Sequence, residues 1–381
     1  MIYLDNSATT RVLPKAAMAV MHYMTEAYFN PSSMYGPAVA VEREVGRVRS
    51  IMAESLGAEP AELYFTSGGT ESDNIAIMGV AAALRRGTYR FITTEMEHPA
   101  IYEVFNALEK AGQEVIRLRP DRFGSIDPGD VADAVDSKTV LVSIMHVNNE
   151  FGAVADLDAI CAAVRAKNPN TYIHSDGVQA YCKLRETRVP VDMYSISAHK
   201  IHGPKGVGAL LVRKRVKNAG GQLGGGQENG MRSGTTNAPG IIGMGVAVEE
   251  AKKRLAQVEA HMRRLKTMLA NALLTIPDTF VNGPAVDEGA AHILNMSFMG
   301  VRGEVLLHAL ESKGILVSTG SACSSHKRGK NRVLASIGVE GERAEGAIRF
   351  SLCPENTERE MLITAETTAA LVRELRRFKR R

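Results

Sequence analysis

The sequence predicts an α/β architecture: a mostly parallel seven-stranded sheet between helices, followed by a smaller α+β C-terminal unit. The 381-residue chain is longer than a single hydrophobic core usually grows, which argues for two units sharing an interface. Seven short runs rich in β-branched and aromatic residues, most of them separated by helical stretches, argue for strands joined by crossovers and covered on both faces. Polar segments follow those runs, where ligands bind in such sheets, beyond the carboxyl ends of the strands.

Composition fits this class. Hydrophobic residues at 45%, charged residues at 23% and 35 glycines describe an ordinary folded enzyme, not a disordered or fibrous chain. A formal charge of +4 is too small to argue for nucleic acid. No apolar run reaches the roughly 18 residues that cross a bilayer, and Met1-Ile2-Tyr3-Leu4-Asp5 lacks the basic and apolar regions of a signal peptide. A cytoplasmic protein with no membrane contact is expected. Cys161, Cys182, Cys323 and Cys353 have neither paired nor metal-ligand spacing, so no metal site is expected and any special cysteine works alone as a thiol.

In chain order, residues 1–57 read as a mostly helical lead-in, with Asn30-Pro31-Ser32-Ser33 as a loop and an amphipathic helix over 39–56. Strands are predicted at 63–66, 90–93, 114–118, 139–147, 172–175, 192–197 and 208–212. The glycine-rich run 220–227 breaks the pattern, and a long helical stretch starts near Pro239. A division near residue 255 is expected, with 15–255 as the large unit and 1–14 plus 256–381 as the small one. In the latter, strands at 292–298, 315–318 and 347–352 accompany a helix from Gly303, and a final helix puts Leu362, Ala365, Ala369 and Val372 on one face.

The strand ends carry the chemistry. Ser67-Gly68-Gly69-Thr70-Glu71-Ser72 leads into a helix, where free N–H groups and the helix dipole favour a phosphate, although an ordinary capped helix start has the same look. His98 follows the next strand, placed either to stack on a ring and shuttle protons or to cap a helix. Asn148-Asn149-Glu150 ends another strand as a hydrogen-bonding site or a polar turn.

Lys200 lies in Ser197-Ala198-His199-Lys200, after an apolar run and before a Gly/Pro turn. A strand-end lysine is usually solvated, but one whose charge is disfavoured by burial is a nucleophile able to form a Schiff base, which suits pyridoxal 5'-phosphate. Asp176 and Gln179 end the preceding strand, and an aspartate against the pyridine nitrogen would keep that ring protonated and electron-withdrawing.

Seven motifs in order then resemble the NifS/IscS-type cysteine desulfurases, of the class-V aminotransferase family and the fold-type I pyridoxal-phosphate enzymes. They are Tyr3-Leu4-Asp5-Asn6-Ser7-Ala8-Thr9-Thr10, Phe65-Thr66-Ser67-Gly68-Gly69-Thr70-Glu71-Ser72, Met145-His146-Val147-Asn148-Asn149-Glu150, Ser197-Ala198-His199-Lys200, Met231-Arg232-Ser233-Gly234-Thr235, Gly320-Ser321-Ala322-Cys323 and Ile348-Arg349-Phe350-Ser351-Leu352. The resemblance implies Lys200 as the Schiff-base residue, His98 stacked on the ring, Asp176 on the pyridine nitrogen and Gln179 on the ring oxygen. It implies Thr70 beside Gly69, Ser197 and His199 on the phosphate, and Thr235 reaching the phosphate of a neighbouring subunit in a homodimer. Asn149, beside the cofactor, and Arg349 would hold the substrate carboxylate.

Cys323 sits in Ser318-Thr319-Gly320-Ser321-Ala322-Cys323-Ser324-Ser325, whose small residues offer no packing role, and basic residues follow it. By the resemblance it takes sulfur from L-cysteine as a persulfide, leaves L-alanine, and passes the sulfur to an iron–sulfur scaffold or a tRNA-thiolating enzyme, with His98 and Lys200 handling protons. The other three cysteines read as packing residues. Tyr35 and Arg332 stand where the family often has histidine, and Ala38 where it often has glycine; the segment 326–330 is more charged than usual. The basic runs 213–217 and 376–381 read as solvated faces or as contacts for an acidic partner or tRNA. A selenocysteine lyase or aminotransferase on the same fold, and a non-catalytic sulfur-transfer scaffold, are the rival readings.

Overall fold

A computed structural model describes residues 1–185, 188–319 and 331–379. The chain opens with β1 (Ile2–Tyr3), α1 (Pro14–Thr25) and α2 (Gly36–Ser55); both helices carry proline in the first turn, where its missing N–H has no cost. Alternation then begins: β2 (Leu63–Thr66), α3 (Gly69–Ala83), β3 (Arg90–Thr94), α4 (Pro99–Lys110), β4 (Glu114–Leu118), α5 (Pro128–Ala134), β5 (Thr139–Ser143), α6 (Leu157–Lys167), β6 (Tyr172–Asp176), β7 (Met193–Ser197) and β8 (Gly208–Val212). These seven strands form one sheet in the order β2-β8-β7-β6-β5-β3-β4, parallel except for β8, which runs against both neighbours. Both β7 and β8 are buried along their whole length, as expected of strands covered on two faces.

The run 139–147 leaves the sheet earlier than its sequence predicts. Beyond Ser143 the amides of Ile144 and His146 still donate to β6, but the Met145 N–H is taken by the buried Glu97 carboxyl (3.0 Å), so pairing with β3 stops. A side chain from the loop after β3 thus replaces a strand and turns Asn148-Asn149-Glu150 across the sheet's end.

The remainder comprises α7 (Ala238–Leu274), β9 (Thr279–Val281), β10 (Ile293–Phe298), α8 (Gly303–Ser312), β11 (Ile315–Leu316), α9 (Arg332–Ser336), α10 (Gly341–Glu345), β12 (Ala347–Ser351) and α11 (Glu358–Lys379). Its antiparallel sheet is β12-β10-β9, and β11 pairs in parallel with β1, tying the N-terminus to this part of the chain. Residue 255 lies inside α7, which Asn237 caps through the Gly240 N–H (3.1 Å). Ile241, Ile242, Met244 and Val248 of this helix pack into the core of the large sheet, whereas Leu265, Leu269 and Leu273 pack into a second core with Leu294, Phe298, Ile348 and Phe350. One 37-residue helix therefore serves both cores.

Candidate active site

Ten of the sequence-predicted residues line one cleft of about 480 Å³ at the carboxyl ends of the large sheet: Gly69, Thr70, His98, Asn149, Asp176, Gln179, Ser197, His199, Lys200 and Arg349. Nine come from the large sheet's loops and strand ends; Arg349 comes from β12. Thr235 is exposed and lies outside that wall. Cys323 falls outside the described residues.

Lys200 closes a short 3-10 turn after β7, and its Nζ donates to the Ser7 carbonyl and to the Ala8 carbonyl (2.7 Å). Those acceptors belong to the N-terminal segment that β1 anchors. Asp176 ends β6 and is buried; its Oδ1 accepts the Val178 N–H at 2.9 Å. Burial raises its pKa, against the opposing influence of His98, that amide and Lys200. Gln179 is fixed in one orientation, with Nε2 donating to Ser7 O (3.0 Å) and Oε1 accepting from Lys183 Nζ (2.8 Å). An amide between an acceptor-only carbonyl and a donor-only ammonium has no alternative flip.

His98 caps α4, its Nδ1 accepting the Ala100 N–H at 3.1 Å, so a neutral ring carries its proton on Nε2. Burial lowers its pKa, Asp176 raises it, and Lys200 and Arg332 lower it. His199 is pushed down to about 4 by burial first and then by Lys200, Lys205 and Lys183, so it is neutral at physiological pH. Arg349 is buried, with Nη2 on Asp5 Oδ1 (2.7 Å) and Nη1 on Asn149 O (2.9 Å).

Four buried polar atoms of cleft residues make no hydrogen bond among the described residues: Ser7 Oγ, Asp73 Oδ1, which lies 3.7 Å from His174 Nε2, Asn149 Oδ1 and Arg349 Nε. The N-terminus of α3 lacks a side-chain cap, since Gly68 precedes it, and a Cβ on Gly69 would sit 2.6 Å from Val178 Cγ2. Open amides, flanked by Thr70, Ser197 and neutral His199, suit a phosphate. A buried aspartate across the cleft from a lysine suits a pyridine ring joined to that lysine. The residues present therefore fit pyridoxal 5'-phosphate.

Sequence spacing missed several neighbours. Asp5, Ser7 and Ala8 lie in a motif that was noticed, yet their approach to Arg349 and Lys200 depends on β1 pairing with β11, far along the chain. Glu97 and Glu150 are buried carboxyls, which burial pushes up to about 8 and about 7. The cysteines read as packing residues behave so: burial pushes Cys161, Cys182 and Cys353 each up to about 12, leaving little thiolate. The basic run at 213–217 lies at the surface, with Lys214, Arg215 and Lys217 exposed and Arg213 paired to Glu62, Lys214 to Glu59 and Arg215 to Asp192. Among the described residues no helix is long and apolar enough to cross a membrane.

Residues 2–362 match the aminotransferase class-V family. A relative named cysteine desulfurase IscS, from Methanosarcina thermophila, is 39% identical over 98% of this chain and 93% of its own. A solved NifS-like protein superposes with a TM-score of 0.92 at 35% identity, covering 98% of this chain and 99% of that one. Another structure, described as SspA in complex with cysteine, has a TM-score of 0.81 at 30% identity over 94% of this chain and 100% of that one. With its sheet, its lysine cleft and its relatives in agreement over nearly the full length, this chain belongs to the class-V aminotransferase family, among the NifS/IscS-type cysteine desulfurases.

Proposed function

We propose that this enzyme converts L-cysteine to L-alanine with pyridoxal 5'-phosphate, moving the sulfur to Cys323. The observation that carries the reading is the convergence of Lys200, His98, Asp176, Gln179 and Arg349 on one cleft beside an uncapped helix start. When bound, the cofactor supplies an electron sink that weakens the Cα–H bond and then the C–S bond. Thr70, Ser197, His199 and the amides after Gly68 would hold its phosphate, and Asp176, Gln179 and His98 would bind its ring.

Arg349 receives the substrate carboxylate, for which its unpartnered Nε is a donor, and Asn149 lies beside it in the cleft with an amide N–H to offer. Lys200 would carry protons to and from the substrate carbon, and His98 would handle protons at Nε2. The Cys323 thiolate attacks the substrate sulfur; the S–S bond forms as the C–S bond breaks, and the carbon fragment is protonated to alanine. The persulfide then serves a sulfur acceptor, an iron–sulfur scaffold or a tRNA-thiolating enzyme.

The exposed apolar side chains of Met18, Met21, Met24, Tyr28 and Met34 support a homodimer in which Thr235 contributes to the partner's phosphate site. The two cores support a large unit of 15–255 and a small unit of 1–14 with 256–381, and a cytoplasmic setting fits free thiols. Sulfide and alanine release from L-cysteine plus reductant tests the function. Equal yields from the wild type, abolished in Lys200→Ala and Cys323→Ser, are expected; undiminished turnover in Cys323→Ser would point to a lyase or transaminase instead.

A further inference from the structure

Arg332, the first residue of α9, lines the cleft against the loop after β3. Its guanidinium stacks over the Tyr102 ring at 3.8 Å from the centroid. Its Nη1 donates to the Glu95 carbonyl, and its Nη2 to the Glu97 carbonyl at 2.6 Å, which is the oxygen of the peptide joining Glu97 to His98. Asn331 beside it donates to Glu150 Oε2 at 2.8 Å and caps α9 through the Leu334 N–H. The charge is thus solvated by two neutral carbonyls and an aromatic face, and it makes no ion pair with any described carboxylate. Arginine stays charged even where burial lowers its pKa, as it does here.

We propose that Arg332 is a positioning residue for His98: it holds the Glu97–His98 peptide through the Glu97 carbonyl, stacks on Tyr102 of the helix that His98 caps, and so fixes where the ring stands while placing a positive charge near it. The inference rests on the proposed proton-handling role of His98. The groups that face His98 are Asp176 from β6, Lys200 from the turn after β7, and Arg332 from α9. Asp176 favours the imidazolium, Lys200 and Arg332 oppose it, and burial opposes it most. Around the guanidinium itself lie Tyr102, Glu97, Glu150 and Glu103, which favour its charged form; burial raises Glu97 to about 8 and Glu150 to about 7, so their opposition to the charge is only partial near neutral pH.

The test is direct titration of His98 by NMR in the holoenzyme labelled at the imidazole carbon, its signal assigned among the 10 histidines with His98→Gln. Arg332→Gln keeps an amide donor on a shorter side chain but loses the charge, and its His98 midpoint should rise by about one pH unit. Arg332→Lys keeps the charge and should titrate close to the wild type. The low-pH limb of kcat/KM should move with the NMR midpoint in Arg332→Gln. An unmoved midpoint in Arg332→Gln, or equal shifts in both variants, would overturn the proposal. Should His98→Gln instead retain full alanine release, the role assigned to His98 fails while the NMR result still judges Arg332.

Discussion

Lys200 has two sides, and they are built differently. In front is the cleft of about 480 Å³, lined by polar groups from both parts of the chain. Behind is a small enclosure of about 60 Å³, walled mainly by Ala247, Ala251, Leu255, Val258 and Met262 of α7 and holding His292 and Lys183. The front gathers unpartnered atoms that a ligand can satisfy. At the rear, burial drives the His292 pKa well below the usual histidine value and Lys183, which donates to Gln179, to about 7, with Lys200 and Arg349 adding to the latter. The difference teaches that the lysine's apolar stem is held from behind while only its amine is offered to chemistry.

Substitutions on the two sides should therefore fail in different ways. The largest effect belongs to the front, where Arg349→Lys loses the two-pronged contact to a carboxylate and weakens the bonds to Asp5 and Asn149. KM for L-cysteine should rise by about 100-fold, and an unchanged KM in steady-state assays would remove Arg349 from substrate binding.

Beneath the front wall, Glu97 gives a pH-dependent effect. Its pKa is raised from 4.5 to about 8 by burial, so the folded state keeps a proton that the unfolded chain releases. Stability from this group is complete below about pH 4.5 and is lost as pH rises toward 8. Glu97→Gln removes the loss, so it should gain about 3–4 kcal/mol on the wild type between pH 5 and pH 8 in denaturant unfolding. A constant difference across that range would show that Glu97 is ionised in the fold.

The smallest effect is expected at the rear. His292 is buried with neither ring nitrogen partnered. His292→Phe removes that cost and fills part of the enclosure, which should stabilise the protein by about 1 kcal/mol and leave kcat unchanged. A fall in Tm would mean that water or overpacking decides the site.

The front was largely legible in the sequence because each of its large-sheet residues follows a strand, and parallel strands deliver their ends to one rim. The rear was not. It is made where α7 passes behind β7's turn, and nothing in the charged run Glu249-Glu250-Ala251-Lys252-Lys253-Arg254 announces that the helix continues beyond it. Tyr102 and Arg332 were likewise separated by 230 residues; only Arg332 drew notice, as a departure from the family, and its stacking partner emerged from the packing of α9 on α4. Contacts of this range depend on how two units dock, which period and composition do not encode.

The continuity of α7 also sets a phase relation. At 3.6 residues per turn its 37 residues span about 55 Å and hold the face bearing Ile241 and Val248 at a fixed rotation from the face bearing Leu265 and Leu269. One residue inserted near 255 would turn the far face by about 100° and unseat one of the two cores, whereas whole turns nearly restore the angle. The middle of this helix, although partly solvent-facing, is therefore intolerant of changes in length: the two halves of the enzyme are geared to each other through a single shaft.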